Sequence, residues 1–216
     1  SRQTTKLQPL LALAQQRHIK VRQVSRRELD QQLGDVNHQG IAASVHYPEQ
    51  KYDEADVINW IEQADKPIFL LILDGVQDPH NLGACLRTAD AAGVTAVVAP
   101  KDKSVSLTPT VRKVACGAAE SLPFVQVTNL ARFLKQIKQL GVWCYGLAGE
   151  ANKTIYDMDL KGNIAIIMGA EGSGLRQLTR ECCDDLLSIP MAGMVSSVNV
   201  SVATGITLFE AVRQRM

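Results

Sequence analysis

A glycine-rich turn with one acidic side chain is the first feature of this sequence that could do chemistry. Residues 169–174 read Gly-Ala-Glu-Gly-Ser-Gly and follow the apolar run 164–168. Their spacing, G-x-x-G-x-G, matches neither the dinucleotide-binding fingerprint nor the phosphate-binding P-loop. Glu171 lies inside the turn, where its carboxylate would repel a phosphate. We therefore expect a tight turn, with glycines that allow positive φ, serving a cationic or neutral ligand.

A second loop with polar side chains, residues 74–88, follows another apolar run and contains Asn81 and Arg87. Both side chains also have purely structural interpretations. Asparagine is a residue type that caps helices, so Asn81 could begin the next helix. Arg87 lies three residues before Asp90, a spacing at which opposite charges pair on a helix surface.

A third loop, residues 191–201, contains several serines, but none lies in a G-x-S-x-G elbow. This pattern therefore argues against a serine hydrolase. Valines at positions 198, 200 and 202 alternate as in a strand, whereas apolar residues from 202 to 212 recur at helical spacing. The residues alone leave strand and helix open here.

Short apolar runs alternate with helical patterns from residue 67 onward and must position these loops. Unbroken apolar strands that alternate with helices are typical of a parallel sheet covered by helices on both faces. Ligands of such sheets bind beyond the carboxyl ends of the strands. We therefore predict an α/β fold with its site at that edge. The runs are residues 68–73, 95–99, 124–127, 142–148, 164–168 and 186–190.

The charge changes sign along the chain, although the formal net charge is +1. Residues 1–27 carry seven basic side chains and no acidic one, whereas residues 28–65 carry nine acidic side chains and a single base, Lys51. A basic segment attached to a near-neutral body fits a module that binds a polyanion. A solvated helix face explains the same charges equally well.

Residues 1–47 read as a small α/β unit in the order helix, strand, helix, strand. The expected strands are residues 19–24 and 41–47. Ser25 and Glu28 have the spacing of a capping box, which predicts that the second helix begins there.

These patterns divide the chain into three parts: a first domain at 1–47, an acidic connector with a short helix at 48–66, and a second domain at 67–216. A first domain of this size would be only marginally stable by itself. Since residue 1 is also not a methionine, we expect that further residues precede it.

The composition, 46% hydrophobic and 21% charged, is that of an ordinary globular protein. No apolar run approaches the roughly 18 residues of a membrane span. The five cysteines form no C-x-x-C pair and the four histidines form no H-x-x-x-H pair. These counts argue against a disulfide framework and a metal site, and they favour a reducing cytoplasm.

Three segments, in this order, carry a resemblance: N-L-G-A-C-L-R-T-A-D-A-A-G-V from residue 81, I-I-M-G-A-E-G-S-G-L from 166, and I-P-M-A-G-M-V-S-S-V-N-V-S-V-A from 189. They resemble the three motifs of the SPOUT family, and more narrowly its TrmH branch of RNA ribose 2′-O-methyltransferases. Val198 departs from the pattern, where leucine is commoner, but both are apolar. The segment N-H-Q-G-I-A-A from residue 37 resembles the end of the L30e-like RNA-binding domain of bacterial 23S rRNA guanosine 2′-O-methyltransferases.

The resemblance implies an S-adenosylmethionine (AdoMet) site within a deep trefoil knot at the carboxyl end of the sheet. It also implies a homodimer with the active site beside its interface, and a guanosine of 23S rRNA as substrate. The third loop then becomes a turn followed by a helix. By position, the implied catalytic residues are Asn81, Arg87, Glu171, Ser197 and Asn199. The implied cofactor-binding residues are Gly169, Ile189, Met191 and Val198, with Leu147 nearby.

The role of Arg87 can be narrowed by chemistry. A guanidinium has a pKa of about 12 or more and is a poor base. We expect Arg87 to grip the phosphate next to the target ribose and to stabilise the developing alkoxide, with Glu171 and Asn81 orienting it. Ser197 and Asn199 would then hydrogen-bond the ribose or the methionine part. Proton transfer to Arg87 or through water stays open.

The sequence leaves three alternative functions to be weighed. A tRNA could be the substrate instead of 23S rRNA. An RNA-binding member of the fold without catalysis would be expected to lack one of the polar motif residues, and Asn81, Arg87, Glu171 and Asn199 are all present. A nucleotide-binding α/β protein of another kind would be expected to carry a G-x-G-x-x-G fingerprint, which is not found.

Overall fold

The computed structural model describes residues 2–34, 38–44 and 52–216. The chain divides into two compact units, Ser1–Gln50 and Lys51–Met216. In the described ranges we find no helix with the length and hydropathy that a membrane span requires.

The first unit contains the helices α1 (Arg2–Gln16) and α2 (Arg26–Leu33). The hydroxyl of Ser25 caps α2 by accepting a hydrogen bond from the backbone N–H of Glu28 at 3.2 Å. The helix therefore begins where the capping pattern predicts.

The strands predicted for this unit are wrong where they can be judged, because residues 19–24 and 41–44 are irregular. A strand needs a neighbour for its backbone hydrogen bonds. No described segment of the unit pairs with either stretch, and Ile19 and Val21 are exposed. The remaining residues of the second predicted strand, 45–47, lie outside the described ranges.

The second unit is built on one sheet of seven strands within its described residues, in the order β3-β2-β1-β6-β4-β7-β5. All of the neighbouring strands are parallel, which confirms the predicted α/β class. Each of the six apolar runs overlaps a strand. Strand β5, which is only two residues long, was not predicted. The strands are β1 (Phe69–Asp74), β2 (Ala96–Pro100), β3 (Phe124–Val127), β4 (Trp143–Leu147), β5 (Lys153–Thr154), β6 (Ile164–Gly169) and β7 (Asp185–Ser188).

Helices cover both faces of this sheet, as predicted. Alternate residues of β1 show why: Leu71 and Leu73 face one core, and Leu70 and Ile72 face the other. Helices α4, α5, α6 and α9 pack on the first face, and α3, α7 and α8 on the second. The helices are α3 (Glu54–Glu62), α4 (Pro79–Ala91), α5 (Pro109–Ala115), α6 (Ala118–Ser121), α7 (Leu130–Gln139), α8 (Gln177–Cys182) and α9 (Val200–Arg215), with a 3-10 turn at Ile155–Asp157.

Helix α3 differs from its expected role in a connector. Its side chains Val57 and Ile61 are buried in the core of the second unit. They are four residues apart and therefore lie on one face of the helix. The acidic residues around them suggested a solvated segment, but this helix is part of the sheet-bearing unit. Residues 48–51 of the expected connector lie outside the described ranges.

The order and register of the strands bring the first two predicted loops together. Strand β6 lies between β1 and β4, and Asp74 at the end of β1 is in register with Gly169 at the end of β6. In addition, residues 200–215 form a helix, so the third loop is a turn followed by a helix as the resemblance implied. The trefoil knot stays a prediction, because strand order by itself does not define how the chain is threaded.

Candidate functional site

A cavity of about 620 Å³ lies beyond the carboxyl ends of β4, β6 and β7, the edge at which the sequence predicts the site. Its size is within the range of small-molecule sites. All of the cofactor-binding residues implied by the resemblance line it, and so do three of the implied catalytic residues. The former are Leu147, Gly169, Ile189, Met191 and Val198, and the latter are Glu171, Ser197 and Asn199.

The glycine-rich turn after β6 forms one wall of this cavity. Ala170 and Gly174 exchange two backbone hydrogen bonds of 3.1 and 2.9 Å, which close the turn around Glu171. A Cβ at Gly169 would lie 2.2 Å from the carbonyl carbon of Gly174, so only glycine fits there. Gly172 and Gly174 have φ values of +80° and +66°, as the prediction of positive φ requires.

An ion pair between the buried Asp74 and the exposed Arg176 fixes the far end of the turn. The carboxylate of Asp74, whose side chain is 0% exposed, accepts hydrogen bonds from the backbone N–H of Arg176 at 3.0 Å and from its Nε at 2.6 Å. Sequence reasoning missed this contact. The available signal was an acidic residue at the end of an otherwise apolar strand, since a buried carboxylate needs a partner.

The three predicted loops meet in a polar cluster made of Asn81, Glu171 and Asn199. The side-chain Nδ2 of Asn199 donates to Oδ1 of Asn81 at 3.0 Å and to Oε1 of Glu171 at 2.6 Å. The Oδ1 atom of Asn199 accepts from the backbone N–H of Ser201 at 2.8 Å and thereby caps α9. One asparagine thus joins all three loops and fixes the first turn of the last helix.

Asn81 does not cap α4, which was the structural alternative for it. The cap is Asp78, whose carboxylate accepts from the backbone N–H groups of His80 and Asn81 at 3.2 and 3.3 Å. The side chain of Asn81 is therefore free to reach Asn199, and the residue is largely buried.

Arg87 lies outside both the polar cluster and the cavity lining, so the expectation that Glu171 and Asn81 orient it is wrong for this structure: both bind Asn199 instead. It is exposed on α4, and its Nη1 lies 3.7 Å from the Sγ atom of Cys116. The alternative of a surface pair with Asp90 is wrong, because Asp90 accepts a 2.7 Å hydrogen bond from Ser121 instead. Ser197 lines the cavity, and its hydroxyl has no hydrogen-bond partner among the residues described.

The charges of the cavity lining favour a ligand with positive charge. The charged side chains among the described lining residues are Glu150, Glu171 and Arg180. Arg180 forms a 2.6 Å ion pair with Glu150. Glu171 is left facing neutral partners, which agrees with the expectation of a cationic or neutral ligand.

Two cysteines near the site stay in the thiol form. Burial raises the pKa of the Cys85 thiol to about 11 and that of Cys183 to about 12, so both stay protonated at neutral pH. Within the part of the chain that is described, no three His, Cys, Asp or Glu side chains are grouped so that they could hold a metal ion.

Comparison with known proteins decides the family. The model of the SpoU rRNA methylase family matches residues 68–209, which include the cavity and the polar cluster. This chain belongs to the SpoU rRNA methylase family. A second model, described as RNA 2′-O ribose methyltransferase substrate binding, matches residues 1–51.

Curated members of the SpoU family are similar over nearly the whole chain. The 23S rRNA (guanosine-2′-O-)-methyltransferase RlmB of Pseudomonas putida is 58% identical over 99% of this chain and 86% of its own length. The protein of the same name from Escherichia coli K12 is 55% identical over 99% of this chain and 87% of its own length.

Solved structures of SpoU methyltransferases share the fold. AviRb from Streptomyces viridochromogenes, in complex with AdoMet, is 27% identical with a TM-score of 0.66, over 71% of this chain and 62% of that one. The AdoMet-bound rRNA methyltransferase from Sinorhizobium meliloti is 29% identical with a TM-score of 0.66, over 70% of this chain and 58% of that one. The present chain thus spans about three fifths of the length of these solved chains.

Proposed function

We propose that this protein is an AdoMet-dependent methyltransferase that modifies the ribose 2′-oxygen of a guanosine in 23S rRNA. The observation that carries the proposal is the polar cluster of Asn81, Glu171 and Asn199 at the wall of a cavity of about 620 Å³. The curated relatives, 55% and 58% identical over 99% of the chain, support the reaction and the RNA.

The residues present fit AdoMet, which when bound supplies a methyl group on a positively charged sulfonium. The cavity combines an apolar wall with the carboxylate of Glu171. We assign the adenosine half to the segments around Leu147, Gly169 and Ile189. Glu171, held by Asn199, would stabilise the positive charge on the methionine side.

Arg87 would act on the RNA. Its role is electrostatic: the guanidinium binds the phosphate beside the target ribose and stabilises negative charge that develops on the 2′-oxygen. In the absence of RNA its guanidinium contacts only the Cys116 sulfur among the described residues. Sulfur is a weak acceptor, so a phosphate would replace it easily.

The first unit would capture the RNA. Its residues 1–27 carry seven basic side chains, and residues 1–51 match the substrate-binding model. We further propose that the protein acts as a homodimer in the cytoplasm, where ribosomal RNA is made in bacteria. No observation on this chain favours tRNA over 23S rRNA, and the complete polar cluster does not favour a member without catalysis.

The test is transfer of a labelled methyl group from AdoMet to 23S rRNA or to tRNA by the purified protein. We expect label only in 23S rRNA, and a loss of about 10²-fold or more in Glu171→Gln, the scale of removing one preorganised electrostatic group. Glu181→Gln is the matched control, because Glu181 is exposed on α8 and, among the described residues, pairs with Gln177 alone. Label in tRNA alone, or full transfer by Glu171→Gln, would contradict the proposal.

A further inference from the structure

One ion pair at the cavity remains without a role in the function just described. Glu150 follows β4, Arg180 belongs to α8, and both line the cavity. Their Oε1 and Nη2 atoms are 2.6 Å apart. The side chain of Glu150 is 66% exposed and that of Arg180 is 29% exposed, so the pair lies where the cavity opens to solvent.

This pair still has capacity to bind a ligand. A carboxylate can accept about four hydrogen bonds, and Arg180 uses one oxygen of Glu150. The backbone N–H of Glu150 itself and then the Arg180 guanidinium lower the pKa of Glu150, so the carboxylate is ionised at neutral pH. An ionised acceptor with unused lone pairs therefore stands at the cavity opening.

The chemistry of the pair selects among the polar groups of AdoMet. The two charges of the pair offset each other, so a single ionic group such as the methionyl ammonium or carboxylate gains little net attraction there. The vicinal diol of the ribose is neutral and does not depend on such an attraction. Its hydroxyls can donate to the carboxylate, an arrangement by which acidic side chains bind ribose in nucleotide sites.

The position of Glu150 agrees with this choice. Strand β4 is separated from β1 by β6, so the segment after β4 lies on the side of the cavity away from Asn81. The cavity lining near Glu150 includes the apolar side chains of Leu147 and Leu187, which suit an adenine ring. A diol attached to that ring would lie beside these residues.

We propose that Glu150 accepts hydrogen bonds from the ribose diol of AdoMet, and that Arg180 is a positioning residue that holds the Glu150 carboxylate at the cavity opening. This inference rests on the proposed function, since it takes AdoMet as the ligand. The pair also joins the segment after β4 to α8, so it fixes the two segments that border the opening.

The test compares two probes by titration calorimetry: S-adenosylhomocysteine and its 2′,3′-dideoxyribose analogue. The wild-type protein should bind the first about 10- to 100-fold more tightly, the factor that corresponds to hydrogen bonds with a charged group. In Glu150→Ala this preference should fall to about 2-fold or less, while affinity for the dideoxy analogue stays nearly unchanged.

Arg180→Met should weaken S-adenosylhomocysteine binding several-fold in the wild-type background and have no further effect in the Glu150→Ala background. Such non-additivity is the signature of a residue that acts through another. Lys153→Met is the matched control, because Lys153 forms a comparable 2.8 Å exposed ion pair with Asp185 outside the cavity lining. It should leave the affinities for both probes unchanged.

If Glu150→Ala weakened the binding of both probes equally, or changed neither affinity, the proposed contact with the diol would be overturned. An equal effect of Arg180→Met in both backgrounds would overturn the positioning role. If the wild-type protein bound neither probe, the cofactor assignment would fail and this inference with it. Wild-type binding of S-adenosylhomocysteine with no preference over the dideoxy analogue would overturn the inference alone.

Discussion

Asn199 is the side chain on which the polar cluster depends, because its amide donates to both Asn81 and Glu171 while its carbonyl caps α9. The motif resemblance identified these three residues, and the structure brings them into contact. Arg87 was identified in the same way but lies apart, because its position is set by α4 and the RNA that it would bind is not part of the chain. Asp74 was missed, since its role is visible only once Arg176 folds back onto β1.

Replacing Asn199 by aspartate separates its two roles. Asn199→Asp keeps an oxygen to cap α9, so the fold should be retained, and the lost amide hydrogen bonds should lower the free energy of unfolding by only about 1–3 kcal/mol. It removes the amide donor and places a second carboxylate against Glu171, so the single-turnover methylation rate should fall about 10²-fold. Asn129→Asp, at the cap of α7, is the control and should keep full activity. Unchanged activity in Asn199→Asp would show that the cluster is only structural.

Arg87→Ala should lower the methylation rate about 10²- to 10³-fold at saturating rRNA, because a preorganised cation near the 2′-oxygen is lost. Its affinity for AdoMet should barely change, since Arg87 is not part of the cavity lining. Arg87→Lys should restore little, because an ammonium lacks the planar guanidinium fork. Single-turnover kinetics and calorimetry measure the two effects separately. A near-normal rate in Arg87→Ala would reduce this residue to a surface side chain.

Among the secondary-structure elements, the central strands could be predicted because both faces are buried, which gives short unbroken apolar runs such as 68–73 and 164–168. The segment 19–24 has a strand-like composition but finds no partner, which local sequence cannot reveal. Helix α3 was assigned to a connector because of its acidic residues. The apolar pair Val57 and Ile61, at helical spacing, indicated instead that one face of this helix is buried.

The turn between β6 and α8 allows an element-level prediction. In Gly169→Ala the new Cβ would lie 2.2 Å from a backbone carbon of Gly174, so the turn must open. We expect a loss of about 1–3 kcal/mol in unfolding free energy, the cost of overpacking. AdoMet binding should fall below detection by calorimetry. Gly162→Ala is the control, because nothing lies within 4 Å of its Cβ position and its φ is not positive. Normal AdoMet binding by Gly169→Ala would contradict the tight-turn description.

For the whole molecule, the sequence predicted a first domain at 1–47, a connector at 48–66 and a second domain at 67–216, whereas the structure has two compact units that divide at residue 50. The knot and the homodimer could not be derived from residue patterns. Threading leaves no periodicity in the sequence, and a symmetric interface looks like any other apolar surface patch. Both therefore stay predictions that rest on the resemblance.

The basic first unit gives a prediction about the whole chain. Replacing Arg17 and Lys20 by glutamine should weaken rRNA binding and lower the slope of log affinity against log salt by about 2, since each phosphate contact contributes about one ion. Both residues are exposed. The control replaces Lys66 and Lys161 by glutamine. These two residues precede the amino ends of β1 and β6, at the edge of the sheet opposite the cavity. AdoMet affinity should stay unchanged in both proteins. An unchanged salt slope would show that these basic side chains are solvated and do not contact the rRNA.

The most direct test of the proposed activity is a map of ribose methylation in RNA from cells with and without the gene for this protein. Loss of the gene should remove 2′-O-methylation from one guanosine of 23S rRNA and from no tRNA. The wild-type gene should restore it, and a gene carrying Glu171→Gln should not. An unchanged methylation map, a site lost from tRNA, or full restoration by Glu171→Gln would contradict the account.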